Sequence, residues 1–166
     1  WRFDATGNFV IIRESQDTGI KTFMGQTGEF EGNDIARIIL EKKACARYIT
    51  SRLYKYFVNH QPDEEIISVL SRDFYESGYD IGKLMHTIFT SDWFYRTQNI
   101  GARIKSPLEL QAGMTRIFKI NFEDPLLRVP VLKVLGQTLF TPPNVAGWPD
   151  GLGWIDSSTL LFRVRL

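Results

Sequence analysis

A chain of 166 residues with 43% hydrophobic and 23% charged side chains has the size of one compact domain and a globular rather than a disordered profile. Twenty basic against nineteen acidic side chains leave a formal charge of +1 with no block of either sign, whereas a nucleic-acid binder needs a basic stripe to neutralise several phosphates. Cys45 is the single cysteine, which excludes an internal disulfide and a thiolate zinc cluster, and no run approaches the ~20 apolar residues of a membrane span.

Residues 1–32 form a segment of their own, in which Gly7, Gly19, Gly25, Gly28 and Gly32 punctuate the β-prone runs Phe9–Ile12 and Lys21–Met24. Two short strands are predicted, able to pair as a hairpin, followed by an irregular loop. Residues 33–140 read as a helical core. After a cap at Asn33, Ile35, Ile38 and Ile39 share one helical face. Cys45, Tyr48, Ile49, Leu53, Tyr56 and Phe57 recur at three- and four-residue intervals, which predicts a second helix with those residues as its buried stripe.

Pro62 suits the first turn of a third helix, where its missing N–H costs nothing, and Asp63, Glu64 and Glu65 complement the positive end of the dipole. Its buried face is Ile66, Ile67, Leu70 and Phe74, and Gly78 ends it. Asp80 caps a fourth helix carrying Ile81, Leu84, Met85, Ile88 and Phe89, and Ser91 opens a turn through Trp93 and Phe94. Ser106-Pro107-Leu108-Glu109 combines a capping box with Pro at the first helical position, so a helix should run to about Phe118. Beyond Asp124-Pro125, the positions of Val131, Val134, Leu135 and Leu139 predict another helix with Pro130 near its start.

Residues 141–156 have no regular period. They hold Pro142, Pro143, Pro149, Gly147, Gly151 and Gly153 beside Trp148 and Trp154, the composition of an ordered loop of functional or packed type. Ser157 caps a terminal helix, 157–166, with Leu160, Leu161 and Val164. The expected fold is mainly α: a single-domain bundle of about seven or eight helices around one core, with a small β element near the N-terminus and a long Pro/Gly/Trp loop near the C-terminus.

Few side-chain constellations carry chemistry. The glycines at 19, 25, 28 and 32 match neither nucleotide fingerprint and read as turn formers. His60 and His86 have no second histidine at ligand spacing, so neither a metal nor a cofactor is expected. Asp17 and Lys21 are the candidate catalytic pair, since a lysine beside a carboxylate in a partly dry pocket holds both groups charged; the structural alternative is a loop salt bridge fixing the glycine turn. Trp148 and Trp154, with Asn144 and Asp150 beside them, are the candidate ligand-binding residues, because flat indoles stack on apolar sugar faces and carboxylates accept hydroxyl hydrogens; the structural alternative is that the indoles are buried and pin the irregular loop to the core. Asp150 and Asp156 are also conceivable as the paired carboxylates of a glycosidase, a role that their separation decides.

Several signatures together resemble the bacterial family called domain of unknown function 1800. They are Trp1-Arg2-Phe3, Asp17-Thr18-Gly19-Ile20-Lys21-Thr22-Phe23-Met24-Gly25, Ser77-Gly78-Tyr79-Asp80-Ile81, Lys105-Ser106-Pro107-Leu108-Glu109-Leu110, Gly136-Gln137 with Leu139-Phe140, and Pro142-Pro143-Asn144-Val145-Ala146-Gly147-Trp148-Pro149 followed by Trp154-Ile155. The resemblance implies the C-terminal part of a largely helical protein of several hundred residues, usually exported to the periplasm or beyond, with no established activity. Where the family usually carries a His-Asp pair, this chain has Gln16-Asp17, which weakens any metal or general-base role at that place.

Three functional expectations follow. The first is an accessory binding or scaffolding region of an exported protein, with the Trp148 loop meeting a glycan or another exported protein. The second is a hydrolase of an extracellular polymer whose site is completed by an N-terminal half; it predicts Asp17, Lys21 and the Trp148 loop along one concave pocket. The third is a structural piece buried against that half, which predicts a large exposed apolar surface.

Overall fold

Short strands open the chain, and the computed structural model describes residues 2–121 and 123–165. β1 (Arg2–Phe3) pairs antiparallel with β2 (Phe9–Val10), and β3 (Lys21–Phe23) with β4 (Gln26–Gly28). The runs Phe9–Ile12 and Lys21–Met24 therefore do not pair with each other as a hairpin. Each finds a nearer partner, because closing a short turn costs less chain entropy than closing a ten-residue loop. Met24 (φ 48°) and Gly25 (φ 82°) form the β3–β4 turn with both central residues left-handed, the geometry that matches the twist of the flanking strands. Asp4 shapes the other turn by accepting from the backbone N–H of Thr6 and Asn8 at 2.9 and 2.8 Å. Trp1 lies outside the described residues.

Seven helices follow among the described residues: α1 (Gly32–Leu40), α2 (Lys43–Phe57), α3 (Glu64–Glu76), α4 (Ile81–Thr90), α5 (Pro107–Ile117), α6 (Arg128–Val134) and α7 (Ser157–Arg165). The chain is mainly α, as its periodicity predicts. Local signals place several ends where expected. Asp80 accepts from the N–H of Lys83, and Ser106 and Glu109 exchange backbone hydrogen bonds at the start of α5, whose last residue precedes Phe118.

Other ends move. Glu31, not Asn33, precedes α1, and its N–H donates to Asp34 at 3.0 Å. Pro62 stands outside α3, because the Asp63 carboxylate takes the free N–H groups of Glu65 and Ile66 and so becomes the cap. Asp156 does the same for α7, accepting from Ser158 and Thr159 at 2.8 and 2.7 Å, which leaves Ser157 as the first helical residue. α6 stops at Val134 with Gly136 at φ 86°, so Leu139 falls beyond it. Leu166 lies outside the described residues.

α2 packs mainly on α3, and the buried side of α2 is Ala46, Thr50 and Tyr54, with Val58 just past its end. This corrects the expected stripe: Ile49 and Leu53 pack against the core from its edge, while Tyr48, Tyr56 and Phe57 are exposed. Ala46 and Thr50 are both fully buried, and their small side chains are ones that hydrophobic counting misses. Ile67, Leu70 and Phe74 of α3 and Leu84 and Ile88 of α4 complete that core, and Trp93 stacks on Tyr54 at 5.8 Å between ring centroids. Tyr79, left-handed at φ 66°, donates its hydroxyl to the Leu40 carbonyl at 2.7 Å and so ties the end of α3 to the α1–α2 corner. Burial first, then the Cys45 thiol, pushes the Tyr79 phenol up to about 12.

Leu132, Leu135 and Trp154 are buried outside that cluster. Here α5 meets α6 through side-chain amides: Gln137 accepts from the Leu108 N–H at 2.9 Å, and Gln111 donates to the Arg128 carbonyl at 3.3 Å. The loop of residues 141–156 is laid against this second group of buried side chains, with a short 3-10 turn at Gly151–Trp154.

Candidate functional site

The exposed side of α2 meets the tryptophan loop across a groove of about 650 Å³. Arg52, Lys55 and Tyr56 stand at positions i, i+3 and i+4 of α2, a spacing that puts all three on one helical face. His60 follows the helix, Arg103 and Ser106 come from the segment before α5, Glu109 from its first turn, and residues 146–154 close the opposite wall.

The cap of α5 fixes one side of this groove. Glu109 takes the Ser106 N–H at 2.9 Å and the Arg103 guanidinium at 2.5 Å, and the Tyr56 hydroxyl approaches it at 3.4 Å. Arg103 also lies 4.0 Å over the centre of the Tyr56 ring, a cation–π contact. Burial raises the Glu109 carboxyl, but the Ser106 N–H and Arg103 outweigh it and hold the group below its ordinary value. Glu109 is therefore ionised at neutral pH and accepts hydrogen bonds rather than donating a proton.

The loop is hooked on at its far half. Arg52 reaches Asp150 at 3.4 Å across 98 residues of sequence. Gly151 is left-handed at φ 50°, and a Cβ there would stand 3.4 Å from the Cβ of His60, so loop backbone runs close over the histidine. Trp154 is 6% exposed, and its carbonyl accepts from the Thr159 hydroxyl at 3.1 Å. Trp148 is only partly buried. Its Nε1 and the Nδ1 of His60 are both shielded from solvent and make no hydrogen bond among the described residues.

The candidate residues thus separate. Trp148, Trp154 and Asp150 line the groove. Asn144 does not; its side chain accepts from the Ala146 N–H at 2.8 Å and shapes the turn that delivers Gly147 (φ 92°) and Trp148. Asp156 caps α7 instead of facing Asp150 in the groove. The Ser158 hydroxyl, followed by the Thr159 N–H, holds its carboxyl down at about 2.

Asp17 and Lys21 also lie outside the groove lining. Lys21 donates to the carbonyls of Asp17 and Gly19 at 2.6 and 2.9 Å and pairs with the Asp17 carboxylate at 3.5 Å, which in turn accepts from the Gly19 N–H. The Gly19 N–H first, then the Lys21 charge, lowers the Asp17 carboxyl. These bonds fix a glycine turn, and the Lys21 ammonium is spent on backbone. At the neighbouring Gln16, the amide donates to Glu31 at 2.8 Å.

Sequence reasoning did not single out Tyr56, Arg103, Lys55 or His60 for this site. The signal lay in Arg52, Lys55 and Tyr56 sharing a face, but Tyr56 had been counted with the apolar stripe.

Among the described residues, no group of three or more His, Cys, Asp or Glu is placed to hold a metal ion, and no helix is long and apolar enough to cross a membrane. No curated protein and no solved structure matches the chain. A family described as protein of unknown function (DUF1800) matches residues 1–166. The match takes in the Ser106 capping box and the Trp148 loop alike, so the chain belongs to the DUF1800 family.

Proposed function

We propose that the chain is an accessory binding region of an exported bacterial protein and that it holds a sugar in the groove beside Trp148. The observation that carries this reading is the mixed lining of that groove: the rings of Trp148 and Tyr56 share it with Arg52, Arg103, Glu109 and Asp150. Aromatic faces offer apolar contact to a sugar ring, and charged groups at its edge exchange hydrogen bonds with hydroxyls. A glycosidase would ask for a carboxyl kept protonated as general acid. Glu109 is held ionised by the Ser106 N–H and Arg103, which favours binding over hydrolysis.

The test is a glycan-array screen of the full-length protein followed by calorimetry on Trp148→Ala. Binding by the parent and loss of at least about tenfold in the variant is the expected outcome, as removal of one stacking ring costs roughly 1–3 kcal/mol. A parent that binds no glycan sinks the proposal.

A second reading is favoured by the apolar side chains left in solvent in the C-terminal part of the chain. Phe118, Leu126, Phe140, Leu161 and Val164 are all more than half exposed, and Val131, Val134 and Phe162 line a shallow groove between α6 and α7. An exposed apolar groove of this kind fits an interaction face. In this reading that face packs against an N-terminal half of the same protein. The two readings concern different surfaces and are compatible.

A further inference from the structure

Resting on the sugar-binding reading above, we propose that the ligand is an anionic sugar and that Lys55 receives its negative group. Three cations, Arg52, Lys55 and Arg103, line the groove against two carboxylates, Glu109 and Asp150. Arg103 is committed to Glu109 and to the Tyr56 ring. Arg52 is paired with Asp150, but at 3.4 Å and with both side chains more than half exposed, a contact that a ligand anion displaces at little cost. Lys55 makes no ion pair among the described residues. The groove therefore carries one uncompensated positive charge beside an aromatic wall, in a chain whose overall charge is only +1.

That imbalance selects among sugars. A neutral sugar would leave the ammonium without a partner, whereas a carboxylate or sulfate on the ring would meet Lys55 directly and the loosely paired Arg52 beside it. Charge concentrated in one ring-lined groove, rather than in a stripe along the surface, favours a single anionic group on a stackable ring over a nucleic-acid backbone.

The experiment is calorimetric titration of the full-length protein with a uronic-acid trisaccharide, its neutral hexose counterpart and a sulfated counterpart. It is repeated with Lys55→Gln and Trp148→Ala, and at low and high salt. Lys55 is exposed and supports no core contact, so its variant folds. The expected result is that an acidic trisaccharide binds roughly tenfold tighter than the neutral one at low salt. That preference shrinks at high salt and disappears in Lys55→Gln. Whichever acidic sugar binds tighter identifies the anion as carboxylate or sulfate.

Equal binding of acidic and neutral sugars, or a preference that survives Lys55→Gln, overturns this inference alone provided Trp148→Ala still abolishes binding. Competition by a single-stranded oligonucleotide as strong as by the uronate also overturns it, in favour of a general polyanion site. Absence of binding by all three trisaccharides overturns both this inference and the sugar reading.

Discussion

The two tryptophans of the loop make a matched pair for separating support from recognition. Trp154 is 6% exposed and Trp148 is only partly buried in the groove wall. A buried Trp removes roughly 150–250 Å² from water, and at about 25 cal/mol per Å² this corresponds to about 4–6 kcal/mol. Unfolded chains already bury part of that surface, which trims the figure to about 3–5 kcal/mol, the usual cost of Trp→Ala in a core. In a chain of this length each kcal/mol moves the melting point by roughly 2–4 °C, so Trp154→Ala should melt about 6–20 °C below the parent. Trp148→Ala should melt within a few degrees of it and lose its ligand. Calorimetric melting of both variants of the full-length protein, read beside glycan titration, makes the comparison. Equal destabilisation by the two substitutions would refute the division of labour, and a Trp154→Ala variant that melts with the parent would show that the loop is not pinned there.

Two further outcomes are expected. The Asp156 carboxyl sits at about 2 in the folded chain against 3.8 for an ordinary aspartate, so the capping bonds it accepts are fully present above about 3.8 and are lost as pH falls through about 2; protection factors of the α7 amides, taken against the intrinsic rate at each pH, should fall over that window, and protection that is flat from pH 5 to 2 would contradict the assignment. If the exposed apolar face of α5–α7 packs on an N-terminal half, residues 1–166 produced alone should bind the dye ANS strongly and the full-length protein should not, whereas equal dye binding by the two would count against the second reading.

Local chemistry was readable in the sequence wherever a few adjacent residues decide the outcome. The Asp80 cap and the Ser106–Glu109 box are such cases, because the groups that satisfy each free N–H lie within three residues of it. Caps failed where two acceptors competed nearby: Asp63 displaced Pro62, and Asp156 displaced Ser157, each by presenting a carboxylate to two N–H groups at once. The buried side of α2 escapes a hydrophobic pattern because Ala46 and Thr50 contribute little to it although both are fully buried. The tryptophan loop announced itself by composition, but the groove did not. Its walls bring together residues 52–60, 103–109 and 146–154, and no periodicity links Arg52 with Asp150 across 98 positions. Glu109 shows how one residue escapes such a reading, since its capping role is visible in four letters while its contacts with Arg103 and Tyr56 depend on how α5 meets α2.

How the loop is fastened bears on how the groove would work. Its contacts with the rest of the fold gather in the second half, where Asp150 meets Arg52, Gly151 runs over His60, Trp154 is buried and Asp156 turns into α7. The first half is held differently. Among the described residues, the hydrogen bonds of Asn144, Ala146 and Gly147 close on one another, and Val145 at the tip is fully exposed. A groove built this way has a buried floor at Trp154 and a lip whose backbone hydrogen bonds are local, with the Trp148 Nε1 shielded inside it. Replacing Trp148 should therefore act on recognition and replacing Trp154 on stability, whereas the exposed Arg52–Asp150 pair borders the groove and adds little to stability.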